Sequence, residues 1–377
     1  MKALLLSPYK SHNYGTVLQA FALQNAILSM GVDCEYLNWS LFNPTQKERL
    51  KFVIRHPLFL WNYYLTQKKI KNDLRYDYLQ NEPFKSIVRK NDLFCDANIR
   101  NTTHHYFYDE FKDVEKEYDT IIVGSDQTWS PNILYKYTPY YLDYIKEKKK
   151  KNAYAPSIGS TTITDRFLSF LAKNLRSFNY LSCRDRANCT RLSEVLNRNV
   201  QNVLDPTLLL PQSIWAKYME EVPNMPPKYI LCYVLGEKKN IYNYAFELGS
   251  HYNIPVYYIQ TRPIEVERIE PLKGIGCQEF LWLIANCQYL VTDSFHGTIF
   301  SINFNRNFVS FNKHEGEALD NGRITDIIST FHLESHFHTD EDYRLPEDVF
   351  YEKVNEILNE KRDQSISFLQ KMFFQNN

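Results

Sequence analysis

The chain opens on a short continuous apolar run, Ala3-Leu4-Leu5-Leu6, which gives way to a polar stretch from Ser7 to Gly15 and then to helical apolar spacing from Val17 to Met30. A strand that is apolar at every position must be buried on both faces, and such strands occur where helices cover both sides of a parallel sheet. The plan recurs. DTIIVGSDQTW and NAYAPSIGS read as strand then loop, NYLSCRDRANCTRLSEVL as strand then helix, and VQNVLDPTLLLP as a closing strand bracketed by Pro206 and Pro211. After the Pro-rich EVPNMPPK a second set begins with YILCYVLG and IPVYYIQ, continues through a helix in QEFLWLIANCQ, and ends with YLVTDSFHGTIFSINF and FVSFN. At 377 residues the chain exceeds the ~250 at which one core stops growing. It is therefore expected to form two doubly wound α/β domains, 1–210 and 211–377, facing each other across a cleft.

Residues from about 44 to 112 interrupt the first set with a stretch rich in Lys, Asn, Tyr and Phe, which reads as a helical insertion with a break at Pro57. Its aromatic and basic mix suits packing against its own domain, or contact with a membrane face. The KEKKKK run at 146–151 reads as a solvated helix end or, alternatively, a contact for anionic lipid or a polyphosphate carrier.

Forty-four Lys and Arg balance forty-four Asp and Glu, so no overall field draws the chain to nucleic acid. The first residues lack the apolar core of a secretion signal, and no apolar run approaches the ~20 residues needed to cross a bilayer. The seven cysteines are odd in number and include no CxxC pair, which suggests reduced, buried thiols in a cytoplasm. The oligomeric state is not legible from these features.

Only eleven glycines are present, and four of them, Gly15, Gly124, Gly159 and Gly297, fall in loops directly after expected strands, where backbone can approach a ligand closely. None forms a dinucleotide or nucleoside-triphosphate fingerprint. The densest candidate is Thr292-Asp293-Ser294-Phe295-His296-Gly297-Thr298, which ends a strand and opens a helix. Here His296 offers a general acid or base, while Ser294, Gly297 and the helix N–H groups offer anion contacts; the alternative is a helix-capping loop with a hydrogen-bonded histidine. In SCRD, Arg184 presents a guanidinium fork suited to a carboxylate or phosphate, or simply pairs with Asp185. Cys183 has no apparent histidine partner and reads as a packed thiol. Ser125, Asp126 and Gln127, with the indole of Trp129, form a polar and aromatic set suited to sugar hydroxyls, or else a plain turn. Asn13, Tyr14 and Gly15 are similar in character and position, and Ser157 follows the next strand. His104, His105, His332, His336 and His338 lack a matching cysteine or carboxylate arrangement, so no metal site is expected.

Six segments, NYGTVLQAFALQ (13–24), IIVGSDQTWSP (121–131), SIGS (157–160), SCRD (182–185), VLDPTLLL (203–210) and VTDSFHGTIFSI (291–302), together resemble the polysaccharide pyruvyl transferase family. The resemblance implies two Rossmann-like domains in a GT-B-like arrangement. It also implies transfer of a pyruvyl unit from phosphoenolpyruvate, as co-substrate and with no further cofactor, to a hexose of a glycan precursor linked to a nucleotide or lipid. By the same resemblance, His296 is the catalytic histidine and Arg184 contacts the donor's anionic groups. Several relatives carry arginine two residues before the histidine, where this chain has Ser294. Arg323, with Lys313, is the nearest candidate to replace that charge. Two other readings fit the same cleft: a glycosyltransferase with a nucleotide-sugar donor, and a non-catalytic sugar-phosphate binding protein in a glycan assembly complex; the expected location is the cytoplasm or the inner face of the membrane.

Overall fold

The apolar runs pair side by side, every one of them in parallel. The computed structural model describes residues 1–40, 81–131, 139–159, 163–236, 238–312, 322–338 and 344–375. In chain order the first part comprises β1 (Lys2–Leu6), α1 (Tyr14–Ser29), β2 (Asp33–Tyr36), the short β3 (Trp39–Ser40), α2 (Phe84–Asn98) and β4 (Tyr106–Phe107). It continues with β5 (Thr120–Val123), β6 (Lys151–Ala153), α3 (Asp165–Leu175), β7 (Tyr180–Cys183), α4 (Arg186–Leu196) and β8 (Gln201–Asn202). These strands form a sheet in the order β2-β1-β5-β6-β7-β8, with β3 and β4 paired separately. The second part begins with β9 (Ile230–Tyr233), α5 (Lys239–Tyr252), β10 (Val256–Ile259), β11 (Glu270–Leu272) and α6 (Cys277–Asn286). It ends with β12 (Tyr289–Thr292), α7 (Phe295–Asn303), β13 (Asn307–Phe311), α8 (Gly322–Thr330), β14 (Phe337–His338) and the long α9 (Tyr351–Phe374). Its sheet runs β11-β10-β9-β12-β13-β14.

In each sheet the chain order reverses beside the first strand, between β1 and β5 and again between β9 and β12. Ligands bind open α/β sheets at such switch points, outside the carboxyl ends of the strands, because the two loops there diverge and leave a crevice. Both crevices open towards the same seam. Helix α1 lies in that seam and is buried around nearly its whole circumference, as a helix apolar on every face must be. Phe21 packs on Phe94 of α2 and on Trp215, which in turn meets Phe300 of α7. One apolar cluster therefore runs from the first half into the second.

Two sequence expectations change here. The closing strand is β8, ahead of Pro206, and Pro206–Leu208 is a single 3-10 turn. Asp205 accepts the Thr207 N–H, and Pro206 sets the φ that a first helical position needs. Residues 41–80 of the insertion, with Pro57, lie outside the described residues; of the rest, Phe84–Asn98 forms α2 and packs between the halves. There Lys90 Nζ donates to both oxygens of Glu279 at 2.6 and 2.7 Å, and Asn91, fully buried, donates to the Ser11 carbonyl and accepts from Cys277 N–H. In KEKKKK, Lys148–Lys150 forms a 3-10 turn, but Lys151 is buried in β6.

Candidate active site

Loops from the carboxyl ends of β5, β6, β7 and β8 converge with the first turn of α7 on one buried cluster. Arg184, just past β7, is its centre, with a side chain only 1% exposed. Its Nη1 donates to Asp205 Oδ2 at 2.6 Å and to Ser125 Oγ at 3.1 Å. Asp185 Oδ1 and Asp126 Oδ1 each lie 3.9 Å from the remaining nitrogens, Nε and Nη2, which have no hydrogen-bond partner among the described residues. Burial works against the Arg184 charge, but the three carboxylates outweigh it and hold the guanidinium firmly protonated. Asp205 shows the converse. Burial would raise it, yet Arg184, His296 and the Thr207 N–H keep it below the usual carboxylate range.

From the other half, Ser294 caps α7 by accepting the Gly297 N–H, which turns the chain so that His296 faces the cluster. His296 Nε2 stands 3.9 Å from Asp205 Oδ2, is buried, and has no hydrogen-bond partner among the described residues. Burial pushes its pKa down to about 4; Asp205 and Asp126 oppose the shift, while Arg184 and Arg323 add to it. The imidazole is neutral at pH 7. Its ring rests directly on Gly15, where an added Cβ would fall 1.9 Å from Nδ1, so only glycine permits this approach. Gly297 has a parallel role, since a Cβ there would lie 2.7 Å from Thr292 Oγ1 at the end of β12.

The other expected residues divide between contact and scaffold. Asn13 caps α1 through the Gly15 N–H. Asp126 sits in the left-handed region at φ 75°, which aspartate tolerates, and accepts from Thr16 Oγ1 at 2.6 Å. Ser157 donates to Asp185 Oδ2 at 2.6 Å and so reaches the cluster through that carboxylate. Gln127, exposed, sits beside Arg323, and with its amide turned so that the oxygen faces the guanidinium it accepts from Nη1 and Nη2 at 3.0 and 3.2 Å. Arg323 also lies 5.8 Å from the Phe295 ring centre, and Arg184 lies 4.8 Å from the same ring. Two cations thus flank one aromatic side chain beside His296. Lys313 lies outside the described residues.

Two expected contacts are instead part of the core. Tyr14 stacks on Phe280 and gives its hydroxyl proton to the Ile275 carbonyl, because the helix that carries it is enclosed by both halves. Trp129 is fully buried, with Nε1 donating to the Tyr140 carbonyl, so no face is open to a sugar. Cys183 is buried and its thiol is pushed up by that burial, consistent with a packed group. Sequence reasoning missed Asp205, Thr16 and Phe295 as members of the cluster; Asp185, the alternative ion-pair partner for Arg184 in the sequence, lies 3.9 Å from its Nε. The available signal for Asp205 was Asp-Pro-Thr, a capping pattern that fixes one carboxylate oxygen and leaves the other free to point elsewhere.

At the second switch point the carboxylate of Asp293 accepts the N–H groups of Leu235 (2.6 Å) and Gly236 (2.5 Å) in the loop after β9. These amides lie where the first strand of an open α/β sheet commonly meets phosphate, and here they already serve an internal carboxylate.

The family model for polysaccharide pyruvyl transferase matches residues 13–315, from the cap of α1 to beyond β13. The chain belongs to that family. None of the curated proteins compared with it matches. Among solved structures, a UDP-GlcNAc 2-epimerase from Methanocaldococcus jannaschii superposes with a TM-score of 0.50 at 12% identity, covering 95% of this chain and 91% of that one. A protein described as a UDP-N-acetylglucosamine 2-epimerase, from Listeria monocytogenes, gives 0.51 at 8%, covering 100% and 97%. At these identities the likeness concerns the fold alone, a two-domain GT-B-like α/β architecture shared by this member of the pyruvyl transferase family.

Proposed function

We propose that the protein transfers a pyruvyl group from phosphoenolpyruvate to two hydroxyls of one sugar in a glycan precursor, forming a pyruvate ketal. The observation that carries this reading is the meeting, in a member of this family, of His296 Nε2 with the Nε and Nη2 edges of Arg184, none of which has a hydrogen-bond partner among the described residues. A donor with both phosphate and carboxylate suits a site with two cations, and Arg184 and Arg323 lie 4.8 and 5.8 Å from the Phe295 ring centre. Binding of the anionic donor beside His296 raises the proton affinity of the ring, which takes up a proton from solvent; its transfer to the donor's methylene carbon creates a cationic C2, which the first sugar hydroxyl attacks, returning a proton to His296. Phosphate then departs with the C2–O bond pair, the second hydroxyl closes the ketal, and its proton leaves on the phosphate. Arg184, Arg323 and the N-terminus of α7 stabilise the charge that develops on the leaving group. Asp293, already occupying the loop amides after β9, favours this donor over a nucleotide sugar.

The test is phosphate release from phosphoenolpyruvate with a panel of galactosyl and N-acetylhexosaminyl acceptors, and a product mass increased by one ketal-linked pyruvyl unit. Acceptor-dependent phosphate and that mass, both lost in His296→Ala, are expected. Thermal protection by UDP or GDP, and none by phosphoenolpyruvate, would transfer the assignment to a nucleotide-sugar enzyme.

A further inference from the structure

Asp205 belongs to the first half by sequence, yet the second half holds it in place. Its loop is pinned through backbone groups: Asn303 Nδ2 donates to the carbonyls of Thr207 and Leu210, Arg362 Nε donates to that of Leu208, and Ser365 Oγ accepts the Leu204 N–H. Within the side chain the two oxygens have separate tasks. Oδ1 accepts Thr207 N–H at 3.0 Å and Thr207 Oγ1 at 2.7 Å, a closed local cap. Oδ2 faces the cluster, taking Arg184 Nη1 and Ser125 Oγ and standing 3.9 Å from His296 Nε2. A carboxylate fixed by one oxygen and presenting the other to both a guanidinium and an imidazole is built to orient the first and to supply counter-charge to the second.

We propose that Asp205 is a positioning residue: it aims Arg184 and provides the negative charge that lets His296 hold a proton while the donor is bound. The catalytic part of this rests on the pyruvyl-transfer reading; the electrostatic part does not. The charged groups facing His296 are Asp126 after β5, Arg184 after β7, Asp205 after β8 and Arg323 on α8. Asp205 is the foremost of those that favour the protonated ring. In the transfer step the imidazolium gives its proton to the donor's methylene carbon and recovers one from the first hydroxyl, so Asp205 stays ionised throughout. A plain scaffold residue would have another signature, because removing a carboxylate from an anion site ought to tighten anion binding, not loosen it.

The experiment is Asp205→Asn, an isostere that keeps an oxygen for Thr207, with Asp205→Glu as the charge-retaining comparison. For Asp205→Asn the expected result is a kcat lower by about tenfold or more, with a KM for phosphoenolpyruvate that changes by less, because the lost carboxylate loosens the aim of Arg184 but also frees its charge for the donor. The alkaline limb of its pH profile should also move to lower pH, while Asp205→Glu recovers part of both losses. Unchanged kcat and pH profile would overturn the proposal, as would a fall in kcat matched by a proportionate rise in KM. Independently of any turnover, the ¹³C shift of the His296 imidazole in the free protein, followed from pH 7 to pH 4 and assigned with His296→Gln, should show less protonation at pH 4 in Asp205→Asn and near-native protonation in Asp205→Glu. Identical titrations in all three proteins would overturn the electrostatic role even if phosphoenolpyruvate proved not to be the donor.

Discussion

His296 is kept neutral by burial beside two arginines, and this fixes what its replacement should do. In His296→Ala the ring leaves the face of Gly15 without breaking any hydrogen bond of Nε2, so the protein should fold. Turnover should drop by at least about two decades, the usual worth of a positioned acid or base, as phosphate release would show. Gly15→Ala tests the same contact from the other side. Its Cβ cannot coexist with the ring at 1.9 Å, so either α1 or His296 must move, and we expect a loss of about 1–3 kcal/mol in denaturant melts together with reduced turnover. The pH dependence of stability has a definite sign. His296 titrates near 6.5 when unfolded and near 4 when folded, so between those values the unfolded chain binds more protons. Its contribution is therefore intact above pH 6.5 and erodes as pH falls towards 4, at up to about 1.4 kcal/mol per pH unit. Urea melts at pH 7 and pH 5 should show a smaller loss for His296→Gln than for the native chain. Arg323 is the candidate to supply the charge that Ser294 lacks: Arg323→Ala should weaken phosphoenolpyruvate binding in calorimetry, and an unchanged affinity would place the compensating charge elsewhere.

At the scale of elements, α2 carries the most testable contacts, because it belongs to the first half yet bonds to the second. Asn91 has no exposed surface, and both ends of its amide are engaged, so Asn91→Ala would leave the Ser11 carbonyl and the Cys277 N–H without their partner. A loss of about 1–3 kcal/mol is expected, measurable as a lower urea midpoint with unchanged slope. The strands themselves were legible from sequence, since runs such as ILCY and YLVT are buried at every position. The helices after β7 and β12 were legible too: Ser294 caps the second, while at the start of the first the Asp185 side chain turns instead to Ser157 and the Ile158 N–H. Residues 203–208 were not. An apolar run interrupted by Asp-Pro reads as a strand by periodicity, and only the capping preference of Asp205 argues for a turn. Nor was the role of α2 legible, because its partners Ser11 and Glu279 are distant in sequence. For the candidate site, the switch-point rule picks out the loops that converge on the buried cluster, but the rule does not say which side chain points inward. Tyr14 and Trp129 share those loops with Asn13 and Asp126, yet their size and aromatic character place them in the core.

At the scale of the whole molecule, the two halves share one apolar core. A continuous apolar cluster crosses the seam, and Tyr14, Phe21, Trp215, Phe280 and Phe300 are all buried there. At roughly 1.5–3 kcal/mol for each large apolar side chain removed from water, opening the seam costs a sizeable part of a domain's net stability of about 5–15 kcal/mol. Helix α9 adds to this by running back to the first half, where Arg362 and Ser365 bond the loop that holds Asp205. The halves should therefore not melt separately. Calorimetry should give one transition whose van't Hoff and calorimetric enthalpies agree, and Phe21→Ala should lower it as a whole by about 3–5 kcal/mol. Single-tryptophan variants separate the outcomes, with Trp129 reporting the core of the first sheet and Trp282 on α6 reporting the second half. Coincident transitions at both positions are expected, with turnover lost at the same temperature because Arg184 and His296 meet only across the seam. Two resolved transitions would mean that the halves hold their folds apart, and activity should then follow the earlier one.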